Sequence, residues 1–245
     1  MPKSGSVEVH HPAAQRHDPI EELFEDVFWV HGSMRVGPGM RINRNMVVLR
    51  DGSDLTLISP VRLNQEGEAA LNALGTVKHV VRIGPAHGYD DRYYVEHYGA
   101  EFWRHRIGGR YLIPKVTKEL AGGVKLPVKD TELFAFEETK FPEFAILVKR
   151  DGGLLITCDS LQNWVNRRHC SLLARIVVPF IGIKLNTGIG PIWKKAMTRE
   201  GGSLRPDFER LLELEFDHLI AAHGALCRGG AKERVREAVD RAFDG

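Results

Sequence analysis

Residues 153–160 read Gly-Leu-Leu-Ile-Thr-Cys-Asp-Ser. A short apolar run between a glycine and an acid is the pattern of a buried strand that delivers its polar residue, here Asp159, to one end. Just upstream, Phe144–Val148 is a second such run, and Asp151-Gly152-Gly153 between the two is hairpin chemistry. Near the end of the chain, Leu219-Ile220-Ala221-Ala222-His223-Gly224 repeats the plan, with His223 in the place of the acid.

Working outward, Leu23 to Val30 forms an opening strand ending at His31-Gly32, and Met46–Leu49 and Leu55–Ile58 flank a second Asp-Gly turn at Asp51-Gly52. Asn64 caps a helix through Leu74 that Gly75 stops, and Val77–Ile83 is a strand. The loop Pro85-Ala86-His87-Gly88-Tyr89-Asp90-Asp91 leads into a helix through Tyr94–Tyr98, followed by a strand at Ala100–Trp103. Residues 108–138 are less regular and hold short strand candidates. Pro206–Glu215 and Lys232–Phe243 read as helices, and Gly37-Pro38-Gly39 and Gly188-Ile189-Gly190 as turns. Hairpins mixed with strand–helix alternation exclude a doubly wound parallel sheet and favour an α+β fold of two mixed β-sheets flanked by helices.

The 245 residues suffice for one domain with a core of its own, placed at 20–245 behind a flexible tail at 1–19. Lys and Arg number 34 against 32 Asp and Glu, a balance that excludes a wholly basic nucleic-acid protein. Cys158, Cys170 and Cys227 form neither a disulfide framework nor a CxxC zinc motif, which fits buried thiols in a reducing, cytoplasmic setting. Leu172–Ile183, broken by Arg175 and Pro179, is too short to span a bilayer.

The order of strand, His/Asp-rich loop and helix, then Gly153–Ser160, then Leu219–Gly224, resembles the metallo-β-lactamase fold superfamily from about Ile20 to Phe243. That resemblance implies an αββα sandwich with metal ligands on loops at one edge. Asp159 matches the family's bridging aspartate and His223 its terminal histidine. The HxHxDH loop is matched only in part. With His87 as its second histidine, Pro85, Tyr89 and Asp90 stand at the other ligand positions; shifted by one, Asp90 and Asp91 fall on the aspartate and final histidine, while Ala86 and Gly88 replace the leading pair. The middle histidine falls near Lys140. The resemblance therefore implies a reduced, at most mononuclear site of His87, Asp90, Asp159 and His223, with Asp91 as an alternative to Asp90. It would hold one divalent ion (Zn, Mn or Fe) or none. Asp90 and His87 are the candidate catalytic groups, and Tyr89, Tyr93 and Tyr94 lie where a hydroxyl could meet substrate.

Between the matched segments, residues 163–204 carry seven Lys and Arg against Glu200 alone, a net +6 in a chain of net +2, together with Trp164, Phe180, Trp193 and many aliphatic residues. This insertion suits an anionic or amphiphilic small-molecule substrate, a peripheral membrane contact or a homodimer contact; nucleic acid is not expected, since no recognition motif is present. Two functions remain open: a metal-dependent hydrolase of an ester or phosphate-type small molecule, and a noncatalytic binding protein on the same fold that has lost its metal.

Overall fold

The computed structural model describes residues 11–107 and 113–244. In chain order the elements are β1 (Glu21–Phe24), β2 (Val27–Gly37), β3 (Met40–Asp51), β4 (Asp54–Ile58), α1 (Gln65–Leu74), β5 (Thr76–Val81), α2 (Asp91–Tyr98), β6 (Glu101–Arg104) and β7 (Lys118–Glu119). They continue with β8 (Thr131–Ala135), β9 (Phe144–Val148), β10 (Leu154–Thr157), β11 (Leu161–Asn163), α3 (Leu172–Phe180), β12 (Thr187–Ile189), α4 (Pro191–Met197), α5 (Arg205–Leu211), β13 (His218–Ala221) and α6 (Ala231–Phe243). Among the described residues, β1 to β7 form one sheet in sequence order, β13-β10-β9-β8 a second, and β11 and β12 a short ribbon. Both large sheets mix parallel and antiparallel pairs.

Side-chain alternation builds the layers. On β3, Val47 and Leu49 point towards the second sheet, and on β9 Ile146 and Val148 point back, giving a shared core with Ile58, Val81, Ile156 and Ile220. The intervening residues face outward. Met46 and Val48 pack with Leu71 of α1 and Tyr94 of α2, while Ala145 and Leu147 pack with Phe208 of α5 and Val235 of α6. Helix layer, sheet, sheet and helix layer is the αββα sandwich that the sequence reading implied.

Local chemistry matches several boundaries. The Asn64 side chain accepts from Gly67 N at 2.8 Å, and Glu66 and Glu68 place negative charge in the first turn of α1. Other expectations are corrected. The opening strand runs on past His31-Gly32 to Gly37, because it pairs along its length with β3 and turns at Pro38-Gly39. Gly188-Ile189 is a strand paired to Leu161 and Gln162, not a free turn. The helix expected to Glu215 ends at Leu211.

Of the tail expected at 1–19, residues 1–10 lie outside the described residues, and the remainder is tied to the body. His17 Nε2 accepts from Asn64 N at 2.9 Å, and Asp18 pairs with Arg168 at 2.9 Å and His169 at 3.0 Å. Among the described residues no helix is long and apolar enough to cross a membrane.

Candidate active site

Sheet register places two of the expected residues together. β10 and β13 are parallel neighbours with Thr157 opposite Ala221, so Asp159 and His223 each lie two residues past a paired position, at the same sheet edge. His87 arrives from the other sheet, on the loop between β5 and α2. The sheets meet at this edge where Phe144 N donates to Ile83 O at 2.7 Å.

The three side chains converge. His87 Nε2 is 2.9 Å from Asp159 Oδ2, His223 Nε2 is 3.2 Å from Asp159 Oδ1, and the two imidazoles meet edge to face at 4.8 Å. Each is held from behind. His223 Nδ1 donates to the Asn43 carbonyl at 2.7 Å, and the Trp164 indole stacks on the ring at an interplanar angle of 12°. Asn45 Nδ2 donates to Ala221 O at 2.8 Å and Gly224 O at 3.0 Å, fastening the turn to β3. Gly224 has φ +95°, and a Cβ there would collide with the Asn163 backbone, so the turn that aims His223 requires glycine. Arg44, fully buried, donates to the His87 carbonyl and thereby holds the loop at a residue with φ +62°.

These contacts decide protonation. Burial opposes ionisation of Asp159, but His87 and His223 beside it outweigh that penalty and hold its carboxyl well below the usual carboxylate range. Burial also pushes the His87 imidazole below its ordinary value despite the attraction of Asp159. Because His223 Nδ1 donates to a carbonyl, a neutral ring aims the lone pair of Nε2 at the carboxylate, and two acceptors at 3.2 Å repel unless a proton or a cation lies between them. His87 Nδ1 is buried with no hydrogen-bond partner, so the ring's hydrogen bond is the Nε2–H donated to the ionised Asp159. Two imidazoles, one pinned through its far nitrogen, and an ionised carboxylate are donors that suit a divalent ion, and the ligand atoms of His87, Cys158 and Asp159 all lie within 4.8 Å of one another.

Asp90 is not turned to this group. Its carboxylate faces Arg44 at 3.5 Å, and Asp91 is paired with Arg82 at 2.5 Å in the interior. Both acids anchor the start of α2 to buried guanidiniums, and burial raises both pKa values. Lys140 is exposed beside the Phe141 ring. Tyr94 donates to Val61 O at 2.7 Å in the outer helix layer, and Tyr93 lies under the Arg62 guanidinium, so neither hydroxyl is presented to the site; Tyr89 is exposed.

Three contributors escaped the sequence reading. Cys158 Sγ lies within 4.8 Å of ligand atoms of His87 and Asp159, although burial keeps it a thiol. Glu143 is wholly buried beneath Asp159, accepts from Ser160 N at 3.1 Å, and is pushed up to about 8 by burial and by the charge of Asp159. Trp164, named above only as one of the insertion's aromatics, is 2% exposed, and Trp193 is also buried; of the three aromatics only Phe180 faces solvent. No spacing rule marks these positions, which are defined by packing across separate segments.

A cavity of about 520 Å³ opens from the His–Asp–His group, its far walls built by Met34, Met40 and Ile42 of the β2–β3 hairpin and by Val177, Ile181 and Ile192 of the insertion. Its polar lining is His87, Asp159, Gln162 and His223, and the remaining lining residues are apolar.

The same architecture occurs in solved structures. A DIM-1 metallo-β-lactamase is 12% identical, with 94% of this chain and 99% of that chain covered and a TM-score of 0.64. A metallo-β-lactamase from Erythrobacter litoralis is 10% identical, with 92% of both chains covered and a TM-score of 0.59. VMB-1 is 10% identical, with 94% and 99% covered and a TM-score of 0.64. The chain has the metallo-β-lactamase fold. No protein-family profile and no curated protein sequence matches it.

Proposed function

We propose that the protein is a hydrolase-type enzyme with one divalent metal ion, acting on an ester or phosphate-type centre in a molecule with a substantial apolar body. The observation that carries this reading is the approach of His87 and His223 to the two oxygens of Asp159, all three lining a cavity that is otherwise mostly aliphatic. Zinc, manganese or ferrous iron suits such a nitrogen and carboxylate set, and would supply Lewis acidity to water and to a substrate oxygen. The chain itself does the rest. His87, Asp159 and His223 hold the ion, the Asn43 carbonyl and Trp164 fix the face of His223, and the aliphatic wall excludes bulk water and seats the apolar part of the substrate. Asp90 has no part in this scheme, because its carboxylate is engaged with Arg44.

A second reading, a noncatalytic binding protein on the same fold, is favoured by Pro85, Ala86, Gly88 and Tyr89, which leave the loop with His87 as its single imidazole. Metal content separates the two. Protein prepared without a histidine tag and analysed by plasma mass spectrometry is expected to hold about one equivalent of zinc, manganese or iron, and Asp159→Ala to lose it, with affinity down at least about a hundredfold. A metal-free parent protein, or stoichiometric metal in Asp159→Ala, overturns the proposal.

A further inference from the structure

The helix α3 is apolar on more faces than the fold covers. Its sequence, Leu-Leu-Ala-Arg-Ile-Val-Val-Pro-Phe, contains one charged residue, Arg175. Ala174 and Val178, four apart, pack inward on Trp164 and Cys170. Val177 and Val178, with Ile181 in the turn that follows, line the cavity. The third side, Leu172, Ile176 and Phe180, again at spacings of four, stands in solvent, with Leu172 76% and Phe180 86% exposed. A helix apolar all round is ordinarily buried all round, so this stripe calls for a covering surface.

Asp18, near the start of α3, is taken up by Arg168 and His169, and the other charges beside the stripe in sequence are basic. Arg175 and Lys184 are exposed beside it, Arg35 is exposed on the hairpin across the cavity mouth, and among the described residues none of the three has an acidic partner. No acid occurs between Asp159 and Glu200. The hairpin and α3 are bound as one rim, since Ser171 N donates to Arg41 O at 3.0 Å and Arg41 N to Ser171 Oγ at 3.1 Å. A second copy of the chain related by a two-fold axis would set this cationic rim against itself, which disfavours a homodimer here. A surface that is apolar inside and anionic at its boundary fits without that conflict.

We propose that α3 and the turn after it dock on an anionic lipid bilayer, with Leu172, Ile176 and Phe180 among the acyl chains and Arg175 and Lys184 at the headgroups. Apolar surface is then continuous from the bilayer through Ile181 into the cavity, so an amphiphile can pass from the lipid to the His–Asp–His group without crossing water. That this amphiphile is the substrate rests on the proposed hydrolase function; the docking does not.

The test is cosedimentation of the full chain with vesicles of phosphatidylcholine alone or with phosphatidylserine, at low and high salt. The parent protein is expected to bind the anionic vesicles and to lose affinity as salt screens exposed charges, the screening length being about 10 Å at 0.1 M. The double substitution Arg175→Glu with Lys184→Glu should weaken binding by about 25-fold or more, at about fivefold for each basic charge. Ile176→Glu with Phe180→Glu should weaken it at least about a hundredfold. All four side chains are exposed and lie outside the cavity, so thermal melting of both variants should match the parent. Absent binding, equal binding to both vesicle types, or a stable dimer by light scattering that Phe180→Glu dissociates, overturns the docking. Metal content and turnover of a soluble short-chain ester, read without lipid, report on the hydrolase proposal separately: a metal-free protein that binds vesicles keeps the docking, and a turning-over protein that ignores them loses it.

Discussion

The floor of the cavity and its wall are built on opposite plans. Asp159 and His223 stand just past the ends of adjacent parallel strands whose residues are all buried and whose register admits one pairing. The part of the wall formed by α3 and the turn after it, residues 171–183, is attached chiefly by the cluster under Trp164 and by the Arg41–Ser171 hydrogen bonds. Groups that must sit within tenths of an ångström are over-determined by the sheets, whereas the surface that meets an apolar ligand is held by few contacts. On such a plan the ligand-facing wall can vary while the polar cluster stays in place.

Trp164 joins the two regions, and truncating it is the most severe way to break the comparison. Trp164→Ala should cost about 3–5 kcal/mol in urea unfolding, because it empties the cluster beneath α3 and removes the plane against His223. A cost below about 1 kcal/mol would mean that the wall is anchored elsewhere.

Two buried carboxyls in the floor give opposite pH signatures. Glu143 ionises at 4.5 in an ordinary setting and only at about 8 in the fold, so between those values the folded state holds an extra proton and stability falls as pH rises. Asp159 is shifted down from 3.8, so its contribution is present above that pH and lost as pH falls below it. Glu143→Gln should abolish the decline between pH 4.5 and about 8, a gain on the order of 5 kcal/mol at the upper end, read from urea midpoints across that range. An unchanged slope would show that Glu143 does not hold the proton.

The tie between β3 and the His223 turn is a smaller effect. Asn45→Ala removes both amide hydrogen bonds to Ala221 and Gly224 and should cost about 1–3 kcal/mol in the same unfolding assay. On the wall, Phe180→Ser should change stability by less than about 0.5 kcal/mol, since the ring is already in solvent. A larger loss would place Phe180 in a packed interface and remove the contrast between floor and wall.

Strand-end logic was legible along the chain. Hairpins at Asp51-Gly52 and Asp151-Gly152, the Asn64 cap, and the pairing of Asp159 and His223 with short apolar runs depend on neighbours within a few residues, where turn and alternation chemistry act; they gave two mixed sheets with helices, and the family resemblance implied the αββα order. The match to the family's loop brought Asp90 into the site in either register, and nothing local to Trp164 placed it against His223. Only the tertiary structure decided those cases. Asp90 turns to Arg44, 46 positions earlier, and Trp164 stacks on a histidine from another strand end. Burial of Glu143 and the approach of Cys158 to His87 likewise arise where two sheets close on one another. A residue's partner across a closed sandwich is set by register and packing summed over both sheets, and no window of neighbouring residues contains that sum.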